Sequence, residues 1–201
     1  SLAATLGGRR QVSEWTSVLE AVASHDEAVK TACLAGLSTG LARNGGELSD
    51  AESTWPALSR LIADRSPSIQ RLAIGLASRL GFQDRPAIRR EMQRAMTLAE
   101  DAGEEIPDRV AAVRLLAFAS YKQAAETFKK LLDPGQPLNL QLTAVAAMSA
   151  STDRRAVVAM LAGWGGYTPR LRKEVLDAVM SRESRLPLLA DALEKKTVAV
   201  A

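Results

Sequence analysis

One cysteine and one histidine are all that this chain's 201 residues offer to chemistry that depends on a thiolate or an imidazole. A lone Cys33 forms no internal disulfide and supplies no metal site built from several thiolates. Its apolar neighbours make it a small core residue. His25 stands beside Asp26 and Glu27, but residues adjacent in sequence do not converge on one ion, so a turn role is expected rather than a ligand role. No Ser-His-Asp or Cys-His arrangement has supporting context. The glycine pairs Gly7-Gly8, Gly45-Gly46 and Gly165-Gly166 lack the spaced glycines and preceding strand of a phosphate loop, and read as helix stops. No apolar run approaches the roughly 20 residues needed to cross a bilayer. The opening SLAATLGGRR also lacks the charged-then-apolar order of an export signal. A soluble chain without a cofactor site is expected, and its abrupt ends, SLAAT and KKTVAVA, suggest a piece of a longer polypeptide.

Aromatic residues are scarce as well, at 4%, while apolar residues make up 47%. The apolar content is therefore mostly Ala, Leu and other good helix formers, which favours an all-α chain with a sizeable core. Charges are balanced, 26 basic against 23 acidic, for a net +3. That describes an ordinary solvated surface, with nucleic acid as a minority partner.

What the sequence does contain is repetition. PDRVAAVRLLAFAS from Pro107 recurs as PSIQRLAIGLASRL at Pro67, PLNLQLTAVAAMSA at Pro137 and PRLRKEVLDAVMSR at Pro169, with a fainter DEAVKTACLAGLST at Asp26. The starts are 41, 40, 30 and 32 residues apart, a period that belongs to helical solenoids. Six past each start lie Ala32, Ala73, Val113, Thr143 and Val175. Nine past lie Ala35, Leu76, Leu116, Ala146 and Ala178, and ten past lie Gly36, Ala77, Ala117, Ala147 and Val179. Small or apolar residues in these columns share one helix face and permit close packing.

Each recurring helix has a first partner. Gln11–Ser24 carries Val12, Trp15, Val18, Leu19 and Val22 at helical spacing and pairs with a helix capped by Asp26 that runs to about Arg43. Asn44-Gly45-Gly46 ends it. The second pair has Trp55, Leu58, Leu61 and Ile62, then Ile69 to Leu80 with a stop at Gly81. The third runs from near Asp84 to about Ala102 and on to the Pro107 helix. The fourth joins Gln123–Leu132 to Leu138–Ala150, and the fifth joins Asp153–Trp164 to Pro169–Ser181. A terminal helix spans Glu183–Lys196. Proline opens the second helices because the first turn has no intrahelical bond to lose. The expectation is one domain over 1–201, about five hairpins plus a terminal helix stacked as a right-handed α-α superhelix.

Four past each start, Lys30, Arg71, Ala111, Gln141 and Lys173 form a broken polar stripe. Arg85, Arg89, Arg90 and Arg94 open a helix that ends acidic at Glu100 and Asp101, the reverse of what the helix dipole favours. Salt bridges to a neighbouring helix explain that order, and so does docking of an acidic partner. The candidate partner-binding surface is thus Lys30, Arg71, Gln141, Lys173, Arg89 and Arg90. No catalytic, cofactor or metal residue emerges. Trp164 and Tyr167 frame a linker that would expose an aromatic pair, although Trp15 and Trp55 suggest that tryptophan fills the core.

Helix pairs with proline or aspartate turns and small residues in the second helix resemble HEAT/ARM-like repeats. More narrowly, PLNLQLTAVAAMSA, Ala156-Val157-Val158 and GWGGYTPRLRKEVLDAVMSRESRLPLLADALEKKTV resemble the helical segment of planctomycete-type multidomain proteins that join a dehydrogenase-like β-propeller to a c-type cytochrome. The resemblance rests on Trp164, Thr168-Pro169, Arg172, Val175-Leu176, Ser181-Arg182, Leu188-Leu189 and Ala192-Leu193. It implies export beyond the cytoplasmic membrane, flanking domains as partners, and a non-catalytic scaffold role. CxxCH is absent, so no haem is held here by that motif. The alternative is a HEAT-like nucleic-acid binder contacting phosphates through Lys30, Arg71 and Lys173.

Overall fold

The structure is a computed structural model that describes residues 3–5, 11–44 and 50–198. Among the described residues every regular element is helical. They form two compact units, Ser1–Arg90 and Glu91–Ala201, with the division falling inside one helix.

The first unit holds α1 (Val12–Ala23), α2 (Glu27–Asn44), a 3-10 turn Ala51–Thr54 leading into α3 (Trp55–Ile62), α4 (Pro67–Arg79) and the start of α5 (Pro86–Glu100). Trp15 and Leu19 of α1, Leu34 and Leu37 of α2, Leu58 and Leu61 of α3, and Ile69, Ile74 and Leu76 of α4 are fully buried. Each such side chain contributes about 1.5–3 kcal/mol by leaving water. The second helices lie against each other, α2 on α4, and so do the first helices, α1 on α3. Gly36 of α2 faces a different neighbour, residues 3–5. A Cβ there would stand 2.6 Å from that of Ala3, so the glycine lets residues 3–5 pack onto α2.

The second unit holds the rest of α5, then α6 (Ile106–Leu115), α7 (Tyr121–Leu131), α8 (Leu138–Ala150), α9 (Arg154–Ala162), α10 (Pro169–Met180) and α11 (Leu186–Glu194). Short 3-10 turns follow α6 and α9 and precede α11. Here α8 lies between α6 and α10, and α9 contacts both α7 and α11. That position explains α8's composition. Leu140, Gln141, Ala144, Val145, Ala147 and Met148 are all buried, on one broad face of about 160° at the helical spacing, the face that a helix lying between two neighbours must fill with apolar residues.

Local chemistry sets the ends. Asp26 Oδ1 accepts the Val29 N–H at 2.9 Å, the expected N-cap. Thr168 and Asp153 cap α10 and α9 in the same way. Gly81, at φ +87°, ends α4 in a Schellman turn: the Phe82 N–H reaches the Ala77 carbonyl and the Gly81 N–H that of Ser78. Lys196, at φ +56°, closes α11 identically, with Thr197 N–H on Ala192 and Lys196 N–H on Leu193. The α2 stop at Asn44 agrees with expectation; Gly45-Gly46 and Gly7-Gly8 lie outside the described residues. Helix α7 begins at Tyr121 rather than Gln123, because Gln123 Oε1 folds back to accept from both the N–H and the hydroxyl of Ser120.

Two expectations are corrected. The Trp164–Tyr167 linker exposes no aromatic pair: a 3-10 turn folds both rings inward, leaving Trp164 6% and Tyr167 4% exposed. Trp55, conversely, is only half-buried, and its ring carries the Arg85 guanidinium 5.0 Å from its centroid. The second correction concerns register. Proline is the first residue of α4 and α10, the second of α6, and the residue before α8. Alignment on proline therefore slips by one in two copies, which is why Ala146 and Thr143 reach solvent while Ala147 and Ala144 are buried. Shifting those copies by one makes the three small columns buried in every proline-led helix.

Candidate interaction surface

In the corrected register one column is polar in all five hairpins: Lys30, Gln70, Arg109, Gln141 and Arg172, separated by 40, 39, 32 and 31 residues. Each is a hydrogen-bond donor near the start of a second helix. Gln70 Nε2 donates to the Ile62 carbonyl at 3.0 Å, Arg109 Nε to Ala99 at 3.1 Å, and Gln141 Nε2 to Asp133 at 2.7 Å. Arg172 Nε donates to Trp164 at 3.1 Å while its guanidinium stacks on that indole. The accepting carbonyls sit in the last turn of α3 and α5 and two residues beyond α7 and α9, where acceptors are left unpaired and the helix dipole is negative. The column thus fastens the two helices of a hairpin at their shared corner. Lys30 departs from the pattern by pairing with Asp64 in the next hairpin's turn, 2.8 Å away. That ion pair, with the Ser66 N–H, holds the Asp64 carboxyl below the usual range.

The polar stripe read from sequence is this column seen one residue out of register in the second and fifth hairpins (Arg71 for Gln70, Lys173 for Arg172) and two residues out in the third (Ala111 for Arg109). Gln141, taken there as a surface residue, is 4% exposed and serves the α7–α8 corner. Lys30 is half-buried in its ion pair. Arg71, beside the column, is exposed. Lys173 is exposed and pairs with Asp177 one turn on. Arg89 and Arg90 are exposed and make no ion pair among the described residues. Their neighbours do: Arg85 pairs with Glu52 and lies over Phe82 as well as Trp55, and Arg94 pairs with Glu91. Glu100 is also accounted for. Burial raises its pKa, but Lys130 and the Thr127 hydroxyl outweigh that and hold it below the usual range.

A cleft of about 340 Å³ opens in the second unit, lined by Thr152, Asp153, Arg154 and Val157 of α9 and its lead-in, by Arg182, Ser184 and Arg185 of the α10–α11 connection, and by Pro187 and Leu188 in the first turn of α11. Arg185 is its buried cation, 4% exposed. It donates from Nη1 to Ala178 at 2.7 Å and from Nη2 to Ser149 at 2.7 Å and Ser151 at 2.8 Å, spanning the C-terminal ends of α10 and α8. Arg182 makes two longer bonds, both 3.4 Å, to Ser151 and Ala150. Among the described residues neither arginine has a carboxylate partner. Burial and the nearby Arg182 charge accordingly lower the Arg185 pKa. Asp153 belongs to Arg155, 2.7 Å away.

No known protein family, curated protein or solved structure matches this chain. Function is therefore read from the residues. Sequence reasoning treated Arg182 as framework and passed over Arg185 and the cleft, because the two sides come from segments some thirty residues apart. The available signal was two arginines, Arg182 and Arg185, in a helix connection with acidic Glu183 as the one intervening charge.

Proposed function

We propose that the chain is a non-catalytic helical-repeat scaffold whose hairpins continue one another as a right-handed, HEAT/ARM-like superhelix over 1–201. Its role is to space or dock the neighbouring domains of an exported, planctomycete-type multidomain bacterial protein. The observation that supports this is the order of the second helices: α2 on α4 in one unit, and α6, α8, α10 in succession in the other. Hairpins so arranged complete each other's cores and leave their outer faces for partners. The test is titration of this chain against its flanking domains, with small-angle scattering of the joined protein. Saturable binding and one extended rigid particle support docking. No contact and a flexible tether leave only the spacer role.

The nucleic-acid reading draws less support. Of its three phosphate contacts, Lys30 and Lys173 are engaged by Asp64 and Asp177. If it holds, duplex binding weakens steeply with salt, with a slope set by the number of phosphates neutralised.

A further inference from the structure

Arg185 poses a question that the scaffold reading leaves open. A buried guanidinium is normally matched by a carboxylate, because desolvating the charge is costly. Arg185 is matched only by the partial negative charge of helix ends, as buried Arg109 is by the Ala99 carbonyl and Gln136, but of the two only Arg185 lines a cleft. Its three carbonyl bonds leave donor capacity in a group with five N–H positions. Arg182, with two long bonds, leaves more. Both line the same cleft, and Arg154, exposed and outside any ion pair among the described residues, stands at its edge. Thr152 and Ser184 add hydroxyls. The single carboxylate in the lining, Asp153, is held by Arg155 and by the α9 backbone. Three guanidinium groups thus converge where one anion is already committed elsewhere.

The lining is not purely polar. Val157, Pro187 and Leu188 form an apolar part beside the arginines. A small inorganic anion would use the charge and ignore that surface. A peptide carrying an acidic side chain next to an apolar one uses both, its carboxylate taking the single N–H positions that Arg182 and Arg185 leave open beside their carbonyl bonds.

We propose that the cleft between α9 and the α10–α11 connection is a docking site for an acidic peptide segment. Its carboxylate side chain sits on Arg182 and Arg185, screened at the mouth by Arg154, with an adjacent apolar residue on Pro187 and Leu188. The inference rests on the reading of the chain as a protein-interaction module and supplies the partner's chemistry.

The test is a calorimetric or fluorescence titration of the whole chain with a short peptide of alternating Glu and Leu, its Gln-for-Glu counterpart, and inorganic phosphate. The expected result is saturable binding of the acidic peptide, at least tenfold weaker binding of the Gln peptide, and weakening with salt. Arg154→Gln, at an exposed position, and Arg182→Gln, in a half-buried one, are each expected to weaken binding several-fold with the thermal midpoint of Arg154→Gln unchanged. Equal affinity for the two peptides, indifference to both substitutions, or phosphate binding as tightly as the peptide overturns the assignment. The two readings fail separately. If flanking domains bind the doubly substituted chain as well as the parent, the scaffold role stands and the cleft assignment falls; if the peptide binds the cleft but the flanking domains do not bind the chain, the reverse holds.

Discussion

At the scale of single residues, the inward donor column is what separates structural polar groups from surface ones. Gln141→Leu removes the donor but leaves the Asp133 carbonyl in a partly buried corner, and is expected to cost about 1–3 kcal/mol in denaturant unfolding. Arg71→Ala, one residue beyond the equivalent position in α4 and exposed, is expected to stay within about 0.5 kcal/mol of the parent. Equal effects would refute the corrected register. Tyr167 supplies a second residue-level prediction. Burial pushes its hydroxyl pKa up to about 12, and that hydroxyl finds no hydrogen-bond partner among the described residues. The unfolded chain releases this proton near pH 10 and the folded chain does not. Folding stability therefore falls as pH rises from about 10 towards 12. Tyr167→Phe is expected to flatten that part of the stability profile and to cost little at neutral pH, as measured by urea unfolding of both proteins at matched pH.

At the scale of elements, the two Schellman turns make opposite predictions from one geometry. Gly81→Ala puts a Cβ on a backbone at φ +87° and is expected to lower stability by about 1 kcal/mol. Lys196→Gly relieves a side chain held at φ +56° and is expected to raise it by up to about 1 kcal/mol. Thermal melts of the two variants check both signs. Most helices could be read from the sequence, since apolar spacing, Asp26, Gly81 and the prolines are strong local signals. Register could not. Proline is tolerated at the residue before a helix and at its first two positions alike, so it marks a start only to within one residue, and one residue turns a helix by about 100°. That is enough to exchange Ala146 for Ala147 at the core. The fate of Trp164 and Tyr167 was equally hidden, because two glycines signal a break without saying that the chain will fold inward. Gly163 is where it does so: a Cβ there would lie 2.2 Å from the Tyr167 hydroxyl.

At the scale of the molecule, successive hairpins that share one pattern are interchangeable in phase. Excising residues 141–171 joins Leu140 to Arg172 and sets that arginine where Gln141 stood, facing the end of α7. The shortened chain is expected to remain helical and cooperative in circular dichroism, with a lower midpoint because one neighbour interface is gone. Loss of folding altogether would argue for a bundle whose contacts are not repeated. The cleft was not readable at this scale, since its arginines and its α9 wall are brought together only by the stacking of the last hairpin on α11.

The long-range grip of Arg182 and Arg185 on residues 149–151 bears on how this chain responds to a broken backbone. The exposed Thr152 is a natural place for a protease to cut, yet the strands of the severed polymer would still be laced together by guanidinium bonds reaching back more than thirty positions. A nicked molecule should therefore elute as one particle and separate only in denaturant, so that scission there need not release the C-terminal portion.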